Sequence, residues 1–219
     1  MIKALLFDLD GLIIDTESAE FQAWSEIYRE YNCELDFNTW ADCIGRPDGH
    51  FDPHANLEKL ANTLLDRETI RDKRRNRSWE IVEGTNIQPG IKEYILEAKS
   101  MNLKLAVVSS SSHRWVDKVL TKVELLEYFD LLICREDTEI HKPNPEPYLK
   151  ALSLLNCKSN EAIAFEDSLN GVNSAVSAKI FCVNVPNPLT KHLIISNSNI
   201  RLNSLSDISL KELIEIASK

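Results

Sequence analysis

Residues 2–11, Ile2-Lys3-Ala4-Leu5-Leu6-Phe7-Asp8-Leu9-Asp10-Gly11, decide the fold. An apolar run of this length, entered at residue 2, reads as a buried strand of a parallel sheet. It ends in two aspartates one residue apart, followed by a glycine that lets the chain turn away. Aspartate is disfavoured inside strands, and open α/β sheets place their ligands at the carboxyl ends of their strands. Asp8 and Asp10 therefore mark a candidate site. Side-chain alternation puts them on one face if strand geometry persists. Two carboxylates this close repel each other unless a proton or a cation intervenes. A hard divalent ion, with magnesium the usual occupant of a sparse oxygen site, is the simplest resolution. The competing reading is a strand ending in a polar turn, with Asp10 capping the next helix.

Downstream, residues 16–82 change character. Apolar residues recur at helical spacing, as Phe21, Trp24, Ile27, Tyr28 and Tyr31, then Leu57, Leu60, Leu64 and Leu65. No strand is expected here, and the segment reads as a small all-helical cap inserted after the first strand. From Pro89-Gly90 onward, helix and strand alternate. Strands are expected at 103–108, 128–134, 162–165 and 180–185. Helices are expected at 91–99, 115–127, 145–155, 169–177 and 210–217. This alternation predicts an α/β fold, a doubly wound parallel sheet with a Rossmann-like core. The core would comprise 1–15 and 83–219, and the cap 16–82.

Four of these strands carry polar chemistry at or just beyond their carboxyl ends. The first ends in Asp8 and Asp10, and the second in Ser109-Ser110. The third is followed by a loop bearing His141-Lys142-Pro143, and the fourth ends in Glu166-Asp167-Ser168. Acidic pairs, hydroxyls and one lysine are what a magnesium-assisted phosphoryl transfer uses: carboxylates for the metal, donors for phosphate oxygens, a cation for the transition state. Taken singly, each has a plainer reading. The serines suit a strand-to-helix turn, and Glu166-Asp167-Ser168 suits a helix N-terminus.

Composition bounds the partners. The chain has 219 residues, is 43% hydrophobic and carries a formal charge of −9. That charge argues against broad nucleic-acid affinity but not against a small anionic substrate, which answers to local charge. The five cysteines form no Cys-x-x-Cys pair. They suggest a reducing compartment, with Cys134 and Cys182 in the core. No signal peptide or membrane helix is evident, so a cytoplasmic monomer is expected.

FDLDGLIIDTE at 7–17, VVSSS at 107–111, the lysine of HKPNP at 141–145 and FEDSLNG at 165–171 resemble the four motifs of the haloacid dehalogenase-like hydrolase superfamily. They stand in the right order. Within the superfamily the chain looks most like the beta-phosphoglucomutase-like branch, with its small helical cap. The resemblance implies that Asp8 is the nucleophile and forms an aspartyl-phosphate. It makes Asp10 the general acid and base, with its backbone carbonyl on Mg²⁺. Asp167, and in a direct or indirect role Glu166, would complete the metal ligands with Asp8. Ser109 and the Ser110 N–H would hold phosphate oxygens, and Lys142 would neutralise charge on the phosphoryl group. The substrate would be a small phosphorylated metabolite of the sugar or polyol type.

Arg46, in Ile44-Gly45-Arg46-Pro47, is a candidate cap contact to substrate, weighed evenly against an exposed loop arginine. His50, Asp52 and His54 alternate but are not read as a metal site, because Pro53 interrupts them. The basic run 71–77 reads as the solvated face of a cap helix, with Trp79 and Ile81 turned inward. Two residues depart from the family pattern. Glu20 aligns with a histidine of the related mutases, which favours a phosphatase over a mutase. Lys179 stands where relatives usually carry a helix-ending glycine.

Overall fold

The computed structural model describes residues 1–41, 51–193 and 195–219. Arg46, Cys43 and His50 lie outside these residues. Six strands form one sheet: β1 Ala4–Phe7, β2 Lys104–Val108, β3 Leu131–Ile133, β4 Ala162–Glu166, β5 Phe181–Asn184 and β6 Ile200–Arg201. Their order is β3-β2-β1-β4-β5-β6, and every pairing is parallel. β1 sits centrally, with Leu6 beside Ala106 on one flank and Ala164 on the other. The chain winds outward from β1 through β2 to β3, then restarts at β4 on β1's far side. The strand order therefore switches direction between β1 and β4, where such sheets open a crevice at their carboxyl edge.

The alternation of each strand divides the core in two. Leu5, Phe7, Leu105, Val107, Ile163, Phe165 and Val183 face helices α5 (Ile91–Ser100), α6 (His113–Lys122) and α9 (Leu210–Ala217). Ala4, Leu6, Ala106, Val108, Ala162, Ala164 and Cys182 face α7 (Glu146–Leu154) and α8 (Leu169–Ser177). The first face is filled by bulky groups, with Phe7 and Phe165 stacked at 4.7 Å between centroids. The second is lined largely by alanine, and there the fully buried Tyr148 of α7 reaches the strands. Burying a large apolar side chain stabilises the fold by about 1.5–3 kcal/mol.

The predicted α/β fold is what the structure shows. One helix end and one strand differ from expectation beyond a shift of a few residues. The expected helix over 115–127 stops at Lys122, because Glu124 takes a left-handed φ of 57° and the chain turns before β3. The short edge strand β6 has too few residues to show a period and was not anticipated.

Among the described residues, four helices lie between β1 and α5: α1 Thr16–Glu30, α2 Phe37–Ala41, α3 Pro53–Ala61 and α4 Arg67–Gly84. Among the described residues this stretch has no strand. It has its own apolar cluster of Trp24, Ile27, Tyr28, Leu35, Leu57 and Ile70. Asp15 caps α1 by accepting from Ser18 N at 2.9 Å, and Asp66 caps α4. The run 71–77 does more than face solvent. Lys73, Arg74 and Arg77 pair with Glu30, Glu20 and Glu26 of α1. The two connections back to the sheet run side by side: Ile14 bridges Ile87, and Gln88 N donates to Ile13 O at 2.9 Å. Asp52 caps α3, and His54 packs edge-on against Trp24. Asp52 is thus occupied as a cap and by Arg67, whereas His54 Nε2 is buried without a hydrogen-bond partner among the described residues. No described helix is long and apolar enough to cross a membrane, and the four described cysteines are free.

Candidate active site

The first strand ends at Phe7, so Asp8 and Asp10 are set by a turn rather than by a continuing pleat. Asp8 N still donates to Phe165 O at 3.0 Å, and the chain then folds over Leu9. Gly11 makes this possible twice over. Its φ is +84°, and a Cβ there would lie 2.2 Å from Oδ2 of Asp167. The turn thus brings the first motif against the fourth.

Asp8, Glu166 and Asp167 are all buried, and each offers a carboxylate oxygen within 4.8 Å of the others. Lys142 lies among them. Its ammonium donates to Asp8 Oδ1 at 2.6 Å, to Glu166 Oε1 at 2.6 Å and to Val108 O at 2.7 Å. Tyr148 also donates to Glu166 Oε1. Among the described residues Asp8 Oδ2 accepts no hydrogen bond, which leaves it available to an incoming atom. The loop bearing Lys142 is closed by Glu146, whose carboxylate accepts from Glu139 N and Ile140 N. It is tied to α8 by Ser174 Oγ, which donates to Asn144 O at 2.6 Å.

The charges are unbalanced. Burial pushes the Asp8 carboxyl up to about 8; Lys142 opposes this, while Glu166 and Asp10 add to it. Burial, then Asp8 and Glu166, raise Asp167 well above the carboxylate range. Burial works against the Lys142 charge, but Asp8 and Glu166 outweigh it and hold the lysine above its usual value. One cation cannot neutralise three carboxylates. A divalent ion bound through oxygen would complete the balance, and Glu166 Oε2, buried with no hydrogen-bond partner, fits such a need. Asn187 orients the set from behind. Its Oδ1 accepts from Leu189 N and Thr190 N, so its amide nitrogen is turned to Asp167 Oδ2 at 2.6 Å.

Asp10 is held differently. Oδ1 accepts from Thr16 Oγ1 and Trp115 Nε1, both at 2.8 Å, and Oδ2 accepts from Ser111 Oγ at 2.7 Å. Ser109 Oγ lies 3.4 Å from the same oxygen and accepts from Ser111 N at 3.0 Å. Ser109 is buried, while Ser110 is exposed and its carbonyl accepts from Arg135 Nε. The strand-end residues named from sequence, Asp8, Asp10, Ser109, Ser110, Lys142, Glu166 and Asp167, thus gather at one sheet edge.

Thr16, Ser111, Trp115, Tyr148 and Asn187 were missed. The first two lie within quoted motifs and could have been found there. Glu17 was missed as well. It opens α1 beside Thr16, and burial, with Asp10 as the leading charged neighbour, raises its carboxyl to about 8.

This arrangement has known counterparts. The sequence matches the haloacid dehalogenase-like hydrolase family over residues 5–185. The chain belongs to that family. A Bacillus subtilis relative with the provisional name phosphatase YhcW is 38% identical over 215 residues, covering 98% of this chain and 97% of that protein. Hexitol phosphatase B of Escherichia coli K12 is 27% identical and spans 97% of each chain. A Thermotoga maritima structure described provisionally as a beta-phosphoglucomutase superposes with a TM-score of 0.81 at 26% identity, over 98% of this chain and 99% of that one. The chain is therefore a haloacid dehalogenase-like hydrolase, and its fold is like that of the structure described as a beta-phosphoglucomutase.

Proposed function

We propose that the protein is a magnesium-dependent phosphatase of small sugar or polyol phosphates, working through an aspartyl-phosphate on Asp8. The observation that carries this reading is the Lys142 ammonium, seated between Asp8 and Glu166 at 2.6 Å from each. An anionic nucleophile attacking an anionic phosphate needs fixed positive charge where negative charge accumulates. The name of the relative hexitol phosphatase B supports the substrate class, and that of the Bacillus subtilis relative supports a phosphatase.

In this reading Asp8 Oδ2 attacks phosphorus and the bond to the leaving oxygen breaks. Asp10, steered by Thr16, Ser111 and Trp115, gives its proton to that oxygen. Water then attacks the phosphorus of the aspartyl-phosphate and Asp10 takes a proton from it, which restores both residues. Ser109 and the Ser110 N–H hold the non-bridging oxygens. Asp8, Asp167 and the Asp10 carbonyl would hold Mg²⁺, with Glu166 beside them as a ligand or as the anchor of Lys142. Bound there, the cation supplies charge neutralisation and alignment of the phosphoryl group. Residues 16–82 act as a cap that covers the site and reads the leaving group, pivoting on the paired connections at 13–14 and 87–88. Arg46 is the cap's proposed contact to the substrate.

A mutase shares these residues. Glu20 favours the phosphatase, because both its oxygens accept from Arg74 Nη1, at 2.7 and 2.9 Å. A carboxylate bound in this way does not serve a sugar hydroxyl as a free imidazole would. Phosphate release from sugar phosphates, polyol phosphates, nucleotides and phosphoglycolate, with Mg²⁺ and with EDTA, tests the proposal, with Asp8→Asn as the blank. Mg²⁺-dependent release lost in the variant is the expected result. Turnover only with a bisphosphate primer, and no net release, would establish the mutase instead.

A further inference from the structure

A second group of side chains that could hold a metal lies beyond β2 from the carboxylates of Asp8, Glu166 and Asp167. His113 opens α6, Cys134 follows β3, and Asp137 closes the short turn Arg135–Asp137. His113 Nε2 and Cys134 N both meet Asp137 Oδ2 at 2.7 Å, and His113 N donates to Glu136 Oε2 at 3.1 Å. One imidazole nitrogen, one sulfur and one carboxylate oxygen thus lie within 4.8 Å of one another. The sulfur forms a dry floor, as Cys134 is 1% exposed. The other side chains open to solvent, 41% exposed for His113 and 27% for Asp137, so a cation has a way in.

A nucleophilic Cys-His-Asp arrangement is the obvious rival. It fails on access: Cys134 is 1% exposed, so its sulfur cannot meet a substrate carbon or phosphorus, and burial, with Asp137 and Glu136, also pushes the thiol up. The donor set itself is informative. Sulfur with imidazole and carboxylate suits zinc and its neighbours, whereas magnesium requires oxygen.

We propose that His113, Cys134 and Asp137 form a second cation site, selective for divalent ions of the zinc class. Binding breaks the His113–Asp137 hydrogen bond, with the Nε2 proton shifting to Nδ1 of the neutral ring or leaving to solvent from a charged one; Nε2, an Asp137 oxygen and the sulfur then bond to the ion, and the thiol proton is released to solvent. Nothing is oxidised or reduced. Water or Glu136 takes the fourth position. The consequence reaches the phosphate loop, because the β3 turn is stitched to it. Ser109 N donates to Ile133 O and Arg135 N donates to Ser111 O, both at 2.9 Å, and Arg135 Nε donates to Ser110 O. An ion at this point clamps α6 to that turn and stiffens the serines between them.

Cobalt(II) titration of the Mg²⁺-loaded full chain tests the site. A thiolate-to-cobalt charge-transfer band with one-to-one stoichiometry is expected. It should disappear in Cys134→Ser and persist in Asp8→Asn, which keeps the site but damages the catalytic carboxylates. Partly exposed His113 offers a variant that spares the core. His113→Gln should weaken Co²⁺ and Zn²⁺ by more than the ~10-fold that even an outer partner of a metal site contributes. Absence of the band, its survival in Cys134→Ser, or unchanged affinity in folded His113→Gln would overturn the proposal.

Discussion

A Cβ placed on Gly171 would stand 1.7 Å from Oε2 of Glu166. The fourth motif therefore needs its glycine for space: α8 comes so close to the end of β4 that only hydrogen leaves room for the buried carboxylate. Gly171→Ala should push Glu166 off Lys142. Supporting groups behind a catalytic site are typically worth about 10–100-fold, and kcat/KM is expected to fall within that range. Steady-state kinetics and circular dichroism together separate this from simple unfolding.

In the proposed mechanism Trp115, a partly buried residue of α6, steers Asp10. Trp115→Phe leaves a smaller aromatic ring to pack against Trp79 and removes the donor to Asp10 Oδ1. A hydrogen bond to a charged group is worth about 1.5–3 kcal/mol. The kcat should drop by roughly 10-fold or more with KM little changed, and the pH–rate profile should shift. An unchanged profile would mean that Asp10 is oriented sufficiently by Thr16 and Ser111.

Glu26 and Arg77 give a pH-dependent clasp between α1 and α4. Hydrogen bonds from Arg77 lower the Glu26 carboxyl to about 2. A lowered carboxyl contributes stability above its unfolded value, and that contribution is lost as pH falls from about 4.5 toward 2. The pair is part-exposed, so the contribution is only about 0.2–1 kcal/mol. A double-mutant cycle with Glu26→Gln and Arg77→Met should show coupling at pH 6 that vanishes near pH 2.

Lys179 ends α8 with a φ of +62°. A side chain there costs about 1–2 kcal/mol relative to glycine. Lys179→Gly should therefore stabilise the protein, raising Tm by about 2–4 °C per kcal/mol, with activity unchanged. Thermal melts at fixed protein concentration check this.

The strands and the strand-end residues could be read in sequence because each is a local signal: a short apolar run followed by an out-of-place polar group. Asp8, Glu166 and Asp167 stand out this way, whereas Lys142, in a loop beyond β3, stands out only through the resemblance. Tyr148, Trp115 and Asn187 do not stand out, since each looks locally like an ordinary helix or turn residue. Their roles come from partners far along the chain, as with Trp115 and Asp10, 105 residues apart. The early end of α6 was hidden for a related reason. Glu124 occupies a left-handed position without the glycine that usually announces one. The basic run 71–77 misled because its partners, Glu20, Glu26 and Glu30, lie on another helix.

The sheet's two faces differ in what they tolerate. On the bulky side, a lost methylene leaves a cavity, and the cost is one of stability. On the alanine side, Ala4, Ala106, Ala162 and Ala164 set the depth to which α7 and α8 sink. Tyr148 and Gly171 ride on those helices. Enlarging one of these alanines would lift both residues from Glu166, so an enzyme could stay folded and fall silent. Random mutagenesis should divide accordingly: variants of one face sorted by melting point, those of the other by turnover.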